Sequence, residues 1–232
     1  YSPAGTAACY AAVDDPEAGR YELLLERVDG HELRHVGAFS MWKRAAGWIA
    51  RFHASVPAGD VDRLARRAKL LVYDEAFYWR WLERARDFAA RSRRSDAAAS
   101  RRVLDGIARG YAPVVARLAA MPRTVIHGEF YPCNILIRGR GARARVCPVD
   151  WELAEPRGLP LHDLTFFLAY VAGARRRART PEQHEAAVRA AEGDTATRLG
   201  RRAADLGVRP ELIAPLVVAS WARQAAGIWR RT

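Results

Sequence analysis

The first 30 residues alternate between short apolar runs and turn chemistry, a pattern that predicts a β-hairpin. Apolar side chains dominate residues 8–13 and 21–26, and residues 14–19 between them have the composition of a turn. Asp29 and Gly30 supply a second turn signal after the second run. A lone hairpin is marginal in water. We therefore expect these strands to be a remnant of a larger β-rich structure.

From residue 38 onward the apolar positions recur at three- and four-residue spacing, which predicts helices. Trp42, Ala45, Ile49 and Phe52 mark the buried face of the first of them. Further helices are predicted over residues 74–90, 97–120, 162–172, 181–206 and 210–231. The helix over 97–120 is expected to be interrupted near residues 110 and 113, where a glycine and a proline lie.

A small β island interrupts this helical pattern. Short apolar runs at residues 124–126, 135–137 and 146–149 predict three strands, and residues 127–134 form a polar loop between the first two. Asp150 follows the third strand directly. Strand ends therefore bring polar side chains together, and the chain as a whole is predicted to have an α+β fold that is mostly helical.

Composition excludes several classes of protein. The sequence has no apolar run of the roughly 18 residues that a membrane span needs, and it shows no secretory signal. The three cysteines are scattered and suggest neither a zinc site nor a disulfide framework, so we expect a cytoplasmic protein.

The formal net charge of +12 raises the question of a nucleic-acid partner. Almost all of the positive charge is arginine, and the arginine clusters lack the interleaved aromatic residues that stack on bases. We therefore expect no nucleic-acid partner and no membrane partner. A basic nucleic-acid-binding domain, supported by the charge alone, is kept as the weakest alternative.

The segment that carries the chemistry reads His-Gly-Glu-Phe-Tyr-Pro-Cys-Asn over residues 127–134, and Asp150-Trp151-Glu152 follows sixteen residues after Asn134. A carboxylate at Glu129 could orient an attacking hydroxyl and accept its proton. Oxygen atoms of Asn134 and Asp150 are ligands that Mg²⁺ prefers. Phosphoryl transfer needs this combination, because it depends on positioning and charge neutralisation.

These motifs resemble those of the aminoglycoside phosphotransferase and choline kinase family, whose catalytic loop reads HGDxxxxN and is analogous to the protein-kinase loop. The resemblance implies a protein-kinase-like fold and an ATP- or GTP-dependent, Mg²⁺-dependent O-phosphotransferase. It implies two catalytic-site residues: Glu129 as the base, and His127, which packs and hydrogen-bonds to hold the loop. It further implies nucleotide and metal contacts at Asn134 and Asp150, and support of the loop by Asp163 in the segment Gly-Leu-Pro-Leu-His-Asp-Leu.

The resemblance also places a hinge strand at residues 23–30, where backbone atoms of Glu26 and Val28 would bind the adenine edge. Residues 1–30 would then be a partial N-terminal lobe, and residues 31–232 the helical C-terminal lobe. The family's glycine-rich strand pair and phosphate-binding lysine are not visible before residue 43. The expected explanations are a fragment, an unrecorded lobe or a natural remnant, and the activity of this chain alone is therefore in question.

Two points stay open at the level of sequence. Most of the family has Asp where this chain has Glu129, so a weak or inactive kinase-like binding module is the main alternative to an enzyme. The phosphate acceptor is also open: it is expected to be a small hydroxylated metabolite or an antibiotic, in which case the protein would confer antibiotic resistance. Glu152 and Glu155 are candidate acceptor contacts, and the aromatic run at residues 77–81 either packs between helices or binds a cation.

Overall fold

The computed structural model describes residues 6–15, 17–56, 59–60, 74–91 and 97–230. The chain forms two compact units, and each combines segments from distant parts of the sequence. The first contains residues 1–55, 127–154 and 166–192, and the second contains residues 56–126, 155–165 and 193–232. The lobe boundary expected after residue 30 stays a prediction, because these units reflect local compactness and not the lobes of a family pattern.

The predicted hairpin lies in the first unit. Strands β1 (Cys9–Asp15) and β2 (Arg20–Leu25) pair in antiparallel fashion, with an irregularity in register between Cys9 and Ala11. In the turn, the carboxylate of Asp15 accepts a hydrogen bond from the backbone N–H of Ala18 at 3.0 Å. The turn residues thus satisfy each other locally, as turn chemistry predicts.

A three-stranded antiparallel sheet forms the β island of the first unit. Its strands are β3 (His31–Glu32), β5 (Ile135–Arg138) and β6 (Arg145–Pro148), in the order β3–β5–β6. The apolar runs predicted β5 and β6. They did not predict β3, because two residues are too few to show an alternation of apolar and polar positions.

The helices of the first unit supply its core. Helix α1 (Phe39–Ser55) buries the predicted face, including Trp42, Ala45, Ile49 and Phe52. A 3₁₀ turn at Leu33–His35 precedes it, and Leu33 is fully buried.

The second unit is largely helical. Its helices are α2 (Glu75–Arg91), α3 (Ala97–Tyr111), α4 (Val115–Ala119), α7 (Glu192–Asp205) and α8 (Ile213–Arg230). Strands β4 (Thr124–Ile126) and β7 (Glu155–Gly158) pair in antiparallel fashion. Helix α5 (His162–Arg175) begins in this unit and continues into the first, where α6 (Pro181–Ala190) follows it.

Most helix boundaries agree with the predicted ones, and the interruption expected near residues 110 and 113 separates α3 from α4. The single helix predicted over residues 181–206 is wrong: α6 ends at Ala190, and α7 begins at Glu192. Gly193 lies just after this break, and glycine is a poor helix former. Strand β7 was also missed, because Glu-Pro-Arg-Gly contains no residue that favours a strand.

The aromatic run on α2 packs into the core of the second unit where its side chains are described. Tyr78 is 1% exposed, and its hydroxyl donates to the carbonyl of Leu118 at 3.3 Å. Its ring meets those of Phe77 and Tyr111 edge-on. Packing therefore accounts for Phe77 and Tyr78. Across the ranges that the structure describes, no helix is both long enough and apolar enough to cross a bilayer.

Candidate active site

The polar loop begins at His127, whose side chain is fully buried. Its Nε2 lies 3.0 Å from the carbonyl oxygen of Val149, and the backbone N–H of Glu129 donates to its Nδ1 at 3.4 Å. Because Nδ1 accepts, the hydrogen-bond pattern assigns the ring proton to Nε2, which donates to Val149. The imidazole thus links the start of the loop to the end of β6.

Gly128 is the tightest point of the loop. Its φ of 87° lies in the left-handed region, which L side chains rarely adopt. A Cβ at this position would lie 2.1 Å from the carbonyl oxygen of Leu153. The loop therefore packs directly against the backbone that follows Asp150, and only glycine permits this approach.

Backbone hydrogen bonds fold residues 129–134 into a compact turn. The N–H of Tyr131 donates to the carbonyl of Glu129 at 2.7 Å, and the N–H of Asn134 donates to the carbonyl of Tyr131 at 2.9 Å. The side-chain Nδ2 of Asn134 donates to the same Glu129 carbonyl at 3.2 Å. The Glu129 backbone is thus held from both sides, and the amide orientation of Asn134 is defined by this bond.

Asn134 and Asp150 lie at the same end of the β5–β6 ladder. Ile135 pairs with Pro148 in the ladder, and the N–H of Val149 donates to the carbonyl of Asn134 at 2.9 Å. This bond extends the ladder by one step and places Asp150 next to the loop. The sequence predicted that strand ends would bring these polar residues together, and the described hydrogen bonds connect Glu129, Asn134 and the backbone next to Asp150.

Asp150 has an unusual backbone conformation for a residue with a side chain. Its φ is 65°, and the residue is exposed. Aspartate is among the few L-residues that enter the left-handed region at modest cost. Residues held in such conformations cluster at functional sites.

Asn134 and Asp150 offer oxygen donors of the kind that Mg²⁺ prefers. Bonding of Nδ2 to Glu129 leaves Oδ1 of Asn134 as the remaining polar atom of that side chain, and Asp150 adds a carboxylate. Among the residues that the structure describes, no group of three or more His, Cys, Asp and Glu side chains is arranged to hold a metal. Mg²⁺ fits two oxygen donors well, because it commonly uses one or two protein ligands together with phosphates and water.

A cluster of aromatic rings supports the loop from behind. The ring of His127 lies 4.4 Å from that of Trp151, and Phe130 stacks on Trp48 with an angle of 9° between the ring planes. The indole N–H of Trp151 donates to the carbonyl of Pro148 at 3.2 Å. The aromatic residue after Asp150 is thus a structural support of the site.

The expected hinge is tied to the strand that follows the loop. The Glu26 carboxylate pairs with Arg138 of β5 at 3.1 Å, and the N–H of Glu26 donates to the carbonyl of Ala8 at 2.7 Å. Any contact of Glu26 with a nucleotide base would therefore use its carbonyl oxygen. Val28 is half-buried two residues later. Beyond the hinge, the N–H of Arg34 donates to the carbonyl of Pro132 within the loop at 3.3 Å.

The remaining predicted residues have different environments. Glu152 is exposed, whereas Glu155 forms an ion pair with Arg223 in which both side chains are largely buried. Arg223 also lies 3.1 Å from Nε2 of the buried His162. Asp163 is 1% exposed in the first turn of α5. A cationic acceptor at Glu155 would have to compete with Arg223, and the acceptor role of Glu155 stays a prediction.

Sequence reasoning missed three residues that contact either the loop or the candidate acceptor residue Glu155. Leu153 contacts Gly128 through its backbone, which no side-chain pattern reveals. Arg223 lies in a predicted helix among several other arginines, so nothing in the sequence distinguishes it. Tyr170 packs against Tyr131 of the loop across 39 positions of sequence, and its partner becomes visible only in the fold.

Comparison with known proteins gives a family and a fold. A model of the family described as "Phosphotransferase enzyme family" matches residues 6–206. A glucosamine kinase in complex with glucosamine, ADP and inorganic phosphate is 21% identical, with a TM-score of 0.52 over 88% of this chain. An aminoglycoside phosphotransferase from Streptomyces rimosus, in complex with ADP and streptomycin, is 16% identical, with a TM-score of 0.47. It is aligned over 94% of this chain and 76% of its own.

This chain spans 56% of the length of that glucosamine kinase. None of the curated proteins matches the sequence. The likeness to the glucosamine kinase supports the α+β, kinase-like fold that the motifs predicted.

Proposed function

The chain belongs to the phosphotransferase enzyme family, and from this premise we propose that the protein transfers the γ-phosphoryl group of ATP or GTP to a hydroxyl of a small molecule. The observation that carries the proposal is the hydrogen-bonded turn of residues 129–134, joined through Asn134 to the strand end at Asp150. The residues that carry the proposed base, Glu129, and the two proposed metal ligands, Asn134 and Asp150, thus lie on adjoining segments of backbone. A cytoplasmic location, where nucleoside triphosphates are abundant, is part of this proposal.

In this mechanism Glu129 acts on the acceptor. Its carboxylate accepts the hydroxyl proton and orients the oxygen for in-line attack on phosphorus. Two hydrogen bonds to its backbone carbonyl, from Tyr131 and from Asn134, restrict the position from which the side chain extends. His127 is a positioning residue, because its buried ring bonds both the Glu129 N–H and the end of β6.

Asn134 and Asp150 would hold the metal. When bound, Mg²⁺ neutralises and orients the phosphates of the nucleotide. The bond from Nδ2 of Asn134 to the Glu129 carbonyl directs the amide before a ligand arrives, which reduces the cost of ordering it. The left-handed backbone of Asp150 follows directly after the bond between Val149 and Asn134.

The nucleotide base would lie against the hinge. The carbonyl oxygen of Glu26 can accept from an exocyclic amine, and the N–H of Val28 can donate to a ring nitrogen. The ion pair between Glu26 and Arg138 links this segment to β5, which leads out of the loop. The glucosamine kinase and the aminoglycoside phosphotransferase were both obtained with ADP, which supports ADP as the first nucleotide to test.

Calorimetric titration of the intact protein with ADP, with and without Mg²⁺, tests the nucleotide and metal sites. We expect binding that depends on Mg²⁺ and is weakened at least about tenfold in Asp150→Ala, because a ligand of the ion is lost. Asp194→Ala is the matched control, since Asp194 is an exposed acid on α7 that pairs with Arg198. Undetectable ADP binding by the wild-type protein, or equal loss in both variants, would contradict the proposal.

A second candidate function is a kinase-like module that binds its ligands without turnover. The observation that favours it is Glu129 itself, which is one methylene longer than the family's usual aspartate. Displacement of a catalytic group by about 1 Å can cost about a hundredfold in rate. Phosphate transfer to glucosamine by wild type and Glu129→Asp separates the two: turnover by the wild type supports the enzyme. No turnover by either, with Mg²⁺-dependent ADP binding intact, supports the module.

A further inference from the structure

Two tyrosines form an aromatic surface beside the loop, within the first unit. Tyr131 lies in the loop two residues after Glu129, and its ring centroid is 5.3 Å from that of Tyr170 on α5. Tyr170 is 41% exposed, whereas Tyr131 is half-buried. The planes of the two rings are tilted by 55°. The pair therefore presents ring surface to solvent at the loop.

The aromatic surface is held from behind by its neighbours. The fully packed ring of Phe166 contacts Tyr131 edge-on at 6.1 Å, and the ring of His184 contacts Tyr170 at 5.9 Å. The backbone N–H of Tyr131 is bonded to Glu129. A large aromatic side chain that is fixed in place and yet exposed is more typical of a binding surface than of a core.

The hydroxyl of Tyr170 lies within electrostatic reach of the loop. Burial is the main cause that raises the pKa of Tyr170, and negative charge on Cys133 and Glu129 raises this pKa further. Geometry gives the same connection: the N–H of Tyr131 is bonded to the Glu129 carbonyl, and the ring of Tyr131 contacts that of Tyr170. The aromatic surface and the proposed catalytic base therefore belong to the same loop region.

We infer that Tyr170, with Tyr131, forms the platform on which the carbon face of a sugar-like ring rests while one of its hydroxyls reaches Glu129. The inference rests on the proposed function, whose acceptor it specifies. The C–H groups on one face of a pyranose carry slight positive charge, and the face of an aromatic ring is negative. An exposed aromatic face in the same loop region as a carboxylate matches a molecule that has an apolar face and hydroxyls at its rim.

An acyclic cationic alcohol is the competing occupant. It would use the same rings through cation–π attraction, which needs no ring in the ligand. The rings are tilted by 55°, and Tyr131 is half-buried, so the exposed aromatic face belongs mainly to Tyr170. One ring face suits the flat side of a sugar ring, whereas a quaternary ammonium group is typically enclosed by a cage of several rings. We therefore commit to the cyclic acceptor, and choline serves as the probe that would reveal the alternative.

The test compares steady-state kinetics of the intact protein with Mg²⁺-ATP and glucosamine, glucose or choline as the acceptor. Tyr170→Ala should raise KM for a sugar about threefold to tenfold, because an aromatic contact is lost. KM for ATP and kcat should change by less than about twofold, since Tyr170 is assigned to ground-state contact with the ring. Tyr170→Phe retains the ring and should behave like the wild type.

Tyr10→Ala is the matched control, because Tyr10 is a tyrosine that is 66% exposed on β1. Saturation-transfer NMR with glucosamine, in the presence of Mg²⁺-ADP, adds a readout that does not depend on turnover. The ring protons of glucosamine should receive saturation from the wild type and from Tyr170→Phe, and less from Tyr170→Ala. Thermal unfolding of each variant identifies any loss of the fold.

Several results would overturn the inference. One is an unchanged sugar KM in Tyr170→Ala, or an equal change in Tyr170→Phe, which would assign the effect to the hydroxyl. Another is a preference for choline over both sugars. If Mg²⁺-ADP binds but neither glucosamine nor glucose does, the platform is refuted and the proposed nucleotide site stands. If Mg²⁺-ADP itself does not bind, the proposed function fails, and the inference fails with it.

Discussion

Replacing Gly128 by alanine should damage the loop through two separate effects. The left-handed φ of 87° costs an L-residue about 1–2 kcal/mol. The added Cβ would lie 2.1 Å from the Leu153 oxygen, well inside the 3.4 Å at which ordinary contact begins. Forcing extra volume into a packed site costs about 1–3 kcal/mol. We therefore expect Gly128→Ala to lower the free energy of unfolding by about 2–5 kcal/mol, the sum of both effects.

The loop cannot relieve this clash without moving Glu129 and Asn134, the proposed base and the proposed metal ligand. The obstructing atom belongs to the backbone, and the neighbouring N–H of Ala154 is bonded to the carbonyl of Trp151 at 3.0 Å. A shift of about 1 Å at Glu129 would reduce the rate about a hundredfold. Binding of Mg²⁺-ADP should weaken as well, because the same movement displaces Asn134.

Gly141→Ala is the matched control in the same unit. Gly141 also has a left-handed φ, of 58°, but a Cβ there would meet nothing within 4 Å. It should therefore cost only about 1–2 kcal/mol. Urea unfolding of wild type and both variants, followed by circular dichroism, measures the difference. Equal destabilisation by the two substitutions would refute the role assigned to the Leu153 contact.

Three further predictions concern stability. Arg223→Met should lower the free energy of unfolding by about 3–5 kcal/mol, because it removes one member of a largely buried ion pair. The double variant E155Q/R223M should recover part of this loss in urea unfolding, and a double variant as unstable as R223M would contradict the explanation. Gly173→Ala should cost about 1–3 kcal/mol, because its Cβ would lie 2.3 Å from Nδ1 of His184, and H184A should suppress that cost. Burial raises the pKa of Tyr111 in the folded protein, so the unfolded chain releases this proton first as pH rises and stability is lost above about pH 10. Tyr111→Phe should flatten this alkaline loss, and urea midpoints that fall equally in both proteins between about pH 9 and 11 would show another cause.

The sequence predicted those elements whose apolar pattern is long or whose ends carry strong signals. Helix α1 was predicted because its buried face recurs over several turns. Strands β3 and β7 were missed, because a strand of two residues and one that contains Pro156 show no pattern of their own. Both exist because a partner strand pairs with them, which is information held elsewhere in the chain.

The candidate site likewise has features that the sequence predicted and features that it did not. The spacing of Glu129, Asn134 and Asp150 predicted that they would come together, and the chain belongs to the family that its motifs resembled. The roles of these residues remain predictions until binding and turnover are measured. The close approach of Gly128 to the Leu153 oxygen and the contact of Tyr131 with Tyr170 are tertiary contacts. Neither could be predicted from the types of these residues or from their spacing in the sequence.

The left-handed conformation of Asp150 limits which mutations this position can accept. Single-base changes in an aspartate codon give Asn, Gly, Glu, Ala, Val, His or Tyr. Asn and Gly suit the backbone but remove the negative charge, whereas Glu keeps the charge and fits the conformation poorly. The remaining four, Ala, Val, His and Tyr, lack the carboxylate, and most of them would strain the backbone at a left-handed φ. No other amino acid that a single base change can introduce therefore suits both this backbone and the proposed metal role, and only the synonymous change of the codon keeps both.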